Sequence, residues 1–291
     1  WRYEVLMAED GYDALLWSGP GEEDGALART WLRTKANSIA GGSNEMQFNM
    51  LGKSALGLPS KPSLRATGGE TVDLDPEHRQ IRETVQAMLG DAREQAYVRA
   101  VRGTKRRHSA DLWQSFAAAG LTGLLVPEHY GGSGLGHAEA AIVMQELGRM
   151  MIPLPFLSTS VVAATALING GSEAQKQQLL PAIADGSTLY ALAVDEASKH
   201  GSTIGLRATA RGEGFVLDGG KTFVADGGIC DRLIVAAASD GGTGISLFIL
   251  ASDAPGVTIA RRHLIDERDA ADIRFDNVAV SRADLLGEAG K

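Results

Sequence analysis

Four stretches of the chain carry residues that could do chemistry. The first is SIAGGSNEMQFNMLGKSALGLP at 38–59, where Gly41 and Gly42 interrupt a helical pattern and Ser43 opens a new one. Free amides and a hydroxyl at a helix start, here Gly42, Ser43, Asn44 and Glu45, can hold an anionic or polar ligand. The same residues also make a plain helix cap. The second is GGSGLG at 131–136. It follows Pro-Glu-His-Tyr rather than a strand of a βαβ unit, so it is not a dinucleotide fingerprint and reads as a flexible turn. The third is the basic run RAVRGTKRRH at 99–108, which could attract phosphates but reads more simply as a solvated helix end. The fourth is a set of soft and imidazole side chains. His78, His108, His129, His137, His200 and His263 show no paired metal-ligand spacing, and Cys230 has no local nucleophile signature.

Those candidates need a scaffold. The chain has 291 residues, of which 44% are hydrophobic and 22% charged, a balance that fits a folded globular protein rather than a disordered one. A net charge of -8 argues against nucleic acid, whose phosphates would be repelled. One cysteine excludes an internal disulfide and suits a reducing cytoplasm. The opening WRYEVLMAEDG has neither the basic nor the apolar part of a signal peptide. The longest apolar run, FLSTSVVAATALI at 156–168, falls short of the roughly 20 residues a bilayer requires and reads as a buried helix.

Residues 1–58 read as helical pieces, and the Pro/Gly/Ser-rich stretch 59–71 as a linker. From 72 to 188 the pattern is helical. Pro76 starts a helix whose apolar face is Ile81, Val85, Met88, Leu89 and Ala92, and further helices are expected at 109–119, 137–149, 156–169 and 173–185. Ser172 and Gln175 have the spacing of a capping box. From 189 to 291 short apolar or alternating stretches predict an antiparallel β domain, with a hairpin at VLDGGKTF. Helices first and strands second make the fold class α+β.

Three blocks carry a resemblance. FAAAGLTGLLVPEHYGGSGLGHAEAAIVMQELGR (116–149), GSEAQKQQLLPAIADGS (171–187) and DNVAVSRADLLGEAGK (276–291) resemble, in order, parts of the helical and middle β domains of acyl-CoA dehydrogenases. The opening segment is similar to the same family's C-terminal end, where a Glu-Gly-Thr-like turn leads into a last helix. The resemblance therefore implies a tandem arrangement, with 1–58 closing one unit and 72–291 opening a second, like the fused or paired actinobacterial enzymes of sterol side-chain degradation. Both ends of the chain are then expected to be cuts, with apolar surface exposed at 156–168 or 233–250.

The resemblance further implies α,β-dehydrogenation of an acyl-CoA thioester, possible steroid-derived substrates, FAD, an electron-transferring flavoprotein as acceptor, and a homo-oligomer or pseudo-dimer. An acyl-CoA oxidase and a catalytically silent pairing half stay open as alternatives. The family's usual base falls on Gly41, which cannot take a proton. Gly42, Ser43, Asn44 and Glu45 are the implied flavin neighbours on that side. In the β domain AVDEASKHGS (193–202) stands at the family's flavin loop, which nominates Val194, Asp195, Glu196, Gly201 and Ser202. TFVADGG (222–228) stands at a Trp-Ile-Thr/Ser-Asn block, which nominates Phe223, Val224 and Ala225. Asp195 and Ala225 replace hydroxyl residues, and a carboxylate at 195 would oppose the charge of a reduced flavin.

Overall fold

The computed structural model describes residues 76–90, 108–196, 203–239, 244–264 and 268–290. The calls on 1–75, including Gly41 to Glu45 and the linker, lie outside the described residues, as do Ala92, Gly201 and Ser202. Residues Gln80–Lys291 belong to one compact unit, and it is the unit described below.

Its first layer is helical. Helix α1 (Pro76–Leu89) begins on the predicted proline and buries Val85 and Leu89, with Ile81 and Met88 packed beside them. Helix α2 (Ala110–Ala118) is capped by Ser109, whose hydroxyl accepts from the Leu112 amide at 3.1 Å. Its Trp113 donates to Gly186 O at 2.8 Å, which ties α2 to the end of helix α5 (Glu173–Ala184). The capping box of α5 forms as expected, and Gln175 also donates to Ala283 O and Leu285 O, pinning the helix to the far end of the sheet. Helix α3 (His137–Met150) ends at Met151, held at φ 53° and 80% exposed.

The expected helix at 156–169 is present but not uniform. It starts as a π-helix, Leu157–Ala163, and continues as α4 (Ala164–Gly170). A π-turn accommodates one residue more than an α-turn and is frequent at functional sites. His108, the one described residue of the basic run, is buried rather than solvated.

Between α2 and α3 the glycine turn is tightly built. Ser133, Gly134 and Leu135 amides return to Gly123, Val126 and Leu124 carbonyls. A Cβ on Gly132 would lie 2.0 Å from Val126 O. Gly132→Ala must therefore displace backbone, and a loss of about 3 kcal/mol, the upper end of overpacking costs, is expected in a denaturant melt.

The second layer is one sheet of eight strands among the described residues: β1 (Tyr190–Ala193), β2 (Arg207–Arg211), β3 (Gly214–Ala225), β4 (Arg232–Ser239), β5 (Ile245–Ala251), β6 (Val257–His263), β7 (Asp269–Ser281) and β8 (Leu285–Leu286). The order is β6-β7-β3-β2-β4-β5-β8, with β1 also on β4. Pairing is antiparallel except that β1 and β2 each run parallel to β4. The expected antiparallel β domain is thus present, with these two parallel pairings within it.

The predicted hairpin at VLDGGKTF is also corrected. Strand β3 runs straight through Asp218 and Gly219, and its register against β7 shifts there instead. Gly219 sits at φ 141°, and a Cβ on it would come within 3.0 Å of Leu206 Cα. The glycine serves a bulge and a close backbone approach, not a chain reversal. The reversal between β2 and β3 occurs at Gly212 and Glu213, where Arg211 pairs with Gly214.

Two clusters of buried side chains result, one among the helices and one in the sheet. The stretches expected to expose apolar surface are mostly covered. Leu233 to Ala237 are buried, as are Phe248 to Leu250. In the π-helix segment Val161 and Val162 are half-buried. The large apolar side chains exposed among the described residues are Leu135, Met151 and Ile245.

Candidate functional site

The chain leaving β1 runs alongside the end of β3, held there by hydrogen bonds. Asp195 O accepts from the Thr222 amide at 2.7 Å, and Val194 O accepts from Lys221 Nζ at 3.0 Å. Lys221 is buried and pairs with Glu196 at 2.5 Å. Burial pushes the Lys221 ammonium down from its ordinary range, and Glu196 acts against that shift. The second duty of Glu196 is structural as well, because it accepts from the Gly205 and Leu206 amides at 2.6 and 2.9 Å. Its carboxylate is engaged by the Lys221 ammonium and by two backbone amides.

Beyond Lys221 the register of β3 against β7 shifts, and pairing resumes at Val224 and Ala225. Thr222 Oγ1 and the Phe223 amide both donate to Asp272 Oδ1, at 2.8 and 3.1 Å, and Arg262 pairs with the same carboxylate at 2.6 Å. Partial burial acts to raise the Asp272 carboxyl, but the hydrogen bonds from Arg262, Thr222 and Phe223 hold it below the ordinary range. Phe223 has φ 50° and is half-buried. Val224 is buried in the sheet's core, so its side chain faces away from any ligand on this surface. Ala225 is exposed and presents only a methyl. The structure thus brings Val194, Asp195 and Glu196 beside Lys221 and Thr222, next to Phe223 in the chain.

Asp226 follows, at φ 56° and 5% exposed. It accepts from Ser158 Oγ at 2.5 Å, linking the π-helix to the end of β3. Burial raises its carboxyl to about 6, with the Ser158 hydrogen bond opposing the shift. Asp269, also buried, accepts from the Gly228 amide at 2.6 Å. Cys230 is buried in the same turn, and burial pushes its thiol up to about 12, which makes it a poor nucleophile.

A cavity of about 310 Å³ opens where α3, the segment 151–157 and Arg268 meet. Its lining is apolar, with Met144, Leu147, Leu154, Phe156 and Leu157 prominent, and Arg268 supplies the charge. The size lies at the small end of ligand sites. His129 is exposed and packs on Tyr130, and His137 bonds Thr165 at 3.1 Å.

Sequence reasoning missed this cavity, along with Ser158, Lys221 and Asp226. The available signal for Ser158 was three consecutive hydroxyls, Ser158 to Ser160, inside an otherwise apolar run. Asp226 stands at the Asn of the quoted block, and its burial shows only after folding.

Residues 75–187 match the description "Acyl-CoA dehydrogenase, N-terminal domain", and residues 191–278 match "Acyl-CoA dehydrogenase, middle domain". Isovaleryl-CoA dehydrogenase of Pongo abelii is 28% identical over 75% of this chain and 54% of its own length. A solved steroid acyl-CoA dehydrogenase variant, Tcur3481-Tcur3483, is 30% identical with a TM-score of 0.66, over 74% of this chain and 58% of that one. An acyl-CoA dehydrogenase of Bacillus anthracis complexed with FAD is 26% identical with a TM-score of 0.68, over 76% of this chain and 39% of that one. The chain spans about half the length of the curated relatives it matches.

Proposed function

The chain belongs to the acyl-CoA dehydrogenase family, and on that premise we propose that it is part of a flavin-dependent enzyme that α,β-dehydrogenates an acyl-CoA thioester. The observation that carries this reading is the apolar cavity at the end of α3. An acyl chain seated against Leu147, Phe156 and Leu157 would be sheltered from water. Excluding water strengthens a carboxylate base and the hydrogen bonds that meet a developing enolate. Likeness to the steroid enzyme supports a bulky, steroid-derived acyl group. A cytoplasmic setting, with an electron-transferring flavoprotein as acceptor, completes the proposal.

FAD is the family's cofactor, and its flat ring system fits the strand end. Ala225 is exposed, Phe223 is half-buried, and the backbone of Asp195 is bonded to the neighbouring Thr222. When bound, FAD supplies the acceptor for the β-hydrogen, which leaves as hydride. Glu196, locked onto Lys221, keeps the loop in place. Asp195 sets a carboxylate beside this surface and would disfavour negative charge on a ring there. The α-proton needs a base from elsewhere than Gly41.

A second reading has one specific observation in its favour. At Ala225 the surface offers a methyl where the family's Trp-Ile-Thr/Ser-Asn block has a hydroxyl, and Asp195 is acidic where the family's flavin loop has one. On this reading residues 72–291 form a silent half that pairs with a flavin-bearing unit, residues 1–58 close that other unit, and 59–71 join them. Counting flavin by visible absorption in the purified natural protein separates the two. One flavin per two units is expected if this half is silent, and two if both halves work. No flavin, together with no turnover of acyl-CoA thioesters, would end the enzyme reading.

A further inference from the structure

Strand β3 carries a bulge among the residues nominated for flavin. Lys221 pairs with Ile273 on β7 and Val224 with Ala271, so Thr222 and Phe223 stand against the single residue Asp272. Two residues against one is the count of a β-bulge, a device that re-aims side chains next to active sites. Phe223 occupies the left-handed region at φ 50°, a rare place for a bulky side chain, and its surroundings must hold it there. We propose that Asp272 is a positioning residue: forked onto Arg262, it locks the Thr222–Phe223 bulge and so sets which side chains of 223–225 face the flavin. This deepens the flavin reading and rests on it for the cofactor part alone.

A carboxylate suits that task because both of its oxygens are used. Oδ1 accepts from Thr222 Oγ1, the Phe223 amide and Arg262 Nε, at 2.8, 3.1 and 2.8 Å. Oδ2 faces Arg262 Nη2 at 2.6 Å. A guanidinium fork of this kind fixes orientation as well as charge. Arg262 stands opposite Ala270, and Asp272 opposite Ala260, so the two are diagonal neighbours across the β6–β7 ladder. The bulge is tied from another side as well, where the Thr222 amide donates to Asp195 O at 2.7 Å. Thr222 is thus held between β7 and the chain leaving β1.

The bulge also decides which way the strand end faces. Lys221 and Val224 are both buried although three residues apart, where an unbroken strand repeats every two. Without the extra residue the pleat would turn Phe223 inward, Val224 outward and Ala225 inward again. Buried Lys221 and Val224 fix the inner side, and Asp272 fixes the backbone between them. An aspartate that merely strengthened the sheet would matter to folding alone. One that holds this bulge must also matter to whatever lies against Phe223 and Ala225.

Asp272→Asn, made in the natural full-length protein, tests this. An amide keeps one acceptor oxygen but turns its NH2 toward either Arg262 or the Thr222 and Phe223 donors, so fork and bulge cannot both be satisfied. The Phe223 amide is expected to exchange about tenfold faster, and FAD titrated into apoprotein to bind this half about tenfold more weakly, as for the loss of one hydrogen bond. The visible flavin band should shift with it. Thr222→Val spares the fork and should give the same changes in smaller measure, which keeps the test decisive if Asp272→Asn does not fold. Thr122→Val loses a buried hydroxyl bond to Ala184 O in the helical layer and should change neither flavin affinity nor the band. Two flavins per two units with affinity and band unchanged in Asp272→Asn overturn the proposal. So do effects on flavin that merely follow thermal stability across all three variants. One flavin per two units, unmoved by Asp272→Asn, fails the flavin reading for this half. Exchange at the Phe223 amide then decides the bulge, and an unchanged rate there overturns the role of Asp272 outright.

Discussion

Glu196→Ala is expected to destabilise the Gln80–Lys291 unit by about 3–5 kcal/mol, the usual consequence of removing one partner from a buried ion pair. The Lys221 ammonium would keep Val194 O as an acceptor at 3.0 Å and would be left with the weaker attraction of Asp195 in place of the Glu196 pair. The Gly205 and Leu206 amides would lose their acceptor at the same time. A urea melt should show a large drop in midpoint with little change in slope. The pH dependence has a definite sign. In the variant the folded state holds Lys221 protonated less readily than the unfolded chain does. Stability relative to the unmodified protein should then rise as pH climbs through the alkaline range. Adding Lys221→Met removes the stranded charge and should recover a substantial part of the loss. A loss below about 1 kcal/mol would be the behaviour of an exposed pair and would sink this account of the Lys221–Glu196 pair.

The opposite sign is expected at Asp226. Its carboxyl titrates at about 6 when folded and near 3.8 when free. Between those values the native state holds more proton than the unfolded chain, so stability falls as pH rises. Above 6 the full penalty is present, about 3 kcal/mol at ~1.36 kcal/mol per pH unit. Asp226→Asn preserves the shape and an acceptor for Ser158 Oγ. It should therefore stabilise the protein at pH 7.5 by about 2–3 kcal/mol, reduced somewhat by the lost attraction to Arg268. The gain should shrink toward nothing near pH 4. Thermal midpoints of the two proteins across pH 4–8 give the comparison, and parallel curves would show that Asp226 does not titrate in this window.

These two carboxylates mark where sequence reading stopped. The stretch AVDEASKHGS nominated both Asp195 and Glu196 as flavin neighbours, and nothing in the local pattern showed that Glu196 holds backbone. The difference comes from Lys221, distant in sequence, whose buried ammonium claims Glu196. Asp226 is similar, because its burial depends on Ser158 arriving from another layer.

The amino-acid sequence by itself determined the order of the elements. Apolar periodicity, Pro76, Ser109 and the Ser172–Gln175 box are local signals, and local hydrogen bonds and helical spacing answer to them. It also carried the family blocks, hence the two domains. Tertiary structure alone decided what Gly219 does, because an Asp-Gly pair permits either a hairpin or a bulge. The approach of Leu206 and the pairing with β7 selected the bulge. It decided too that β1 and β2 lie parallel to β4, that a π-turn carries Leu157 to the cavity and Ser158 to the sheet, and that Val224 faces inward. Each of these depends on contacts between residues far apart in the chain, which no local pattern of side chains encodes.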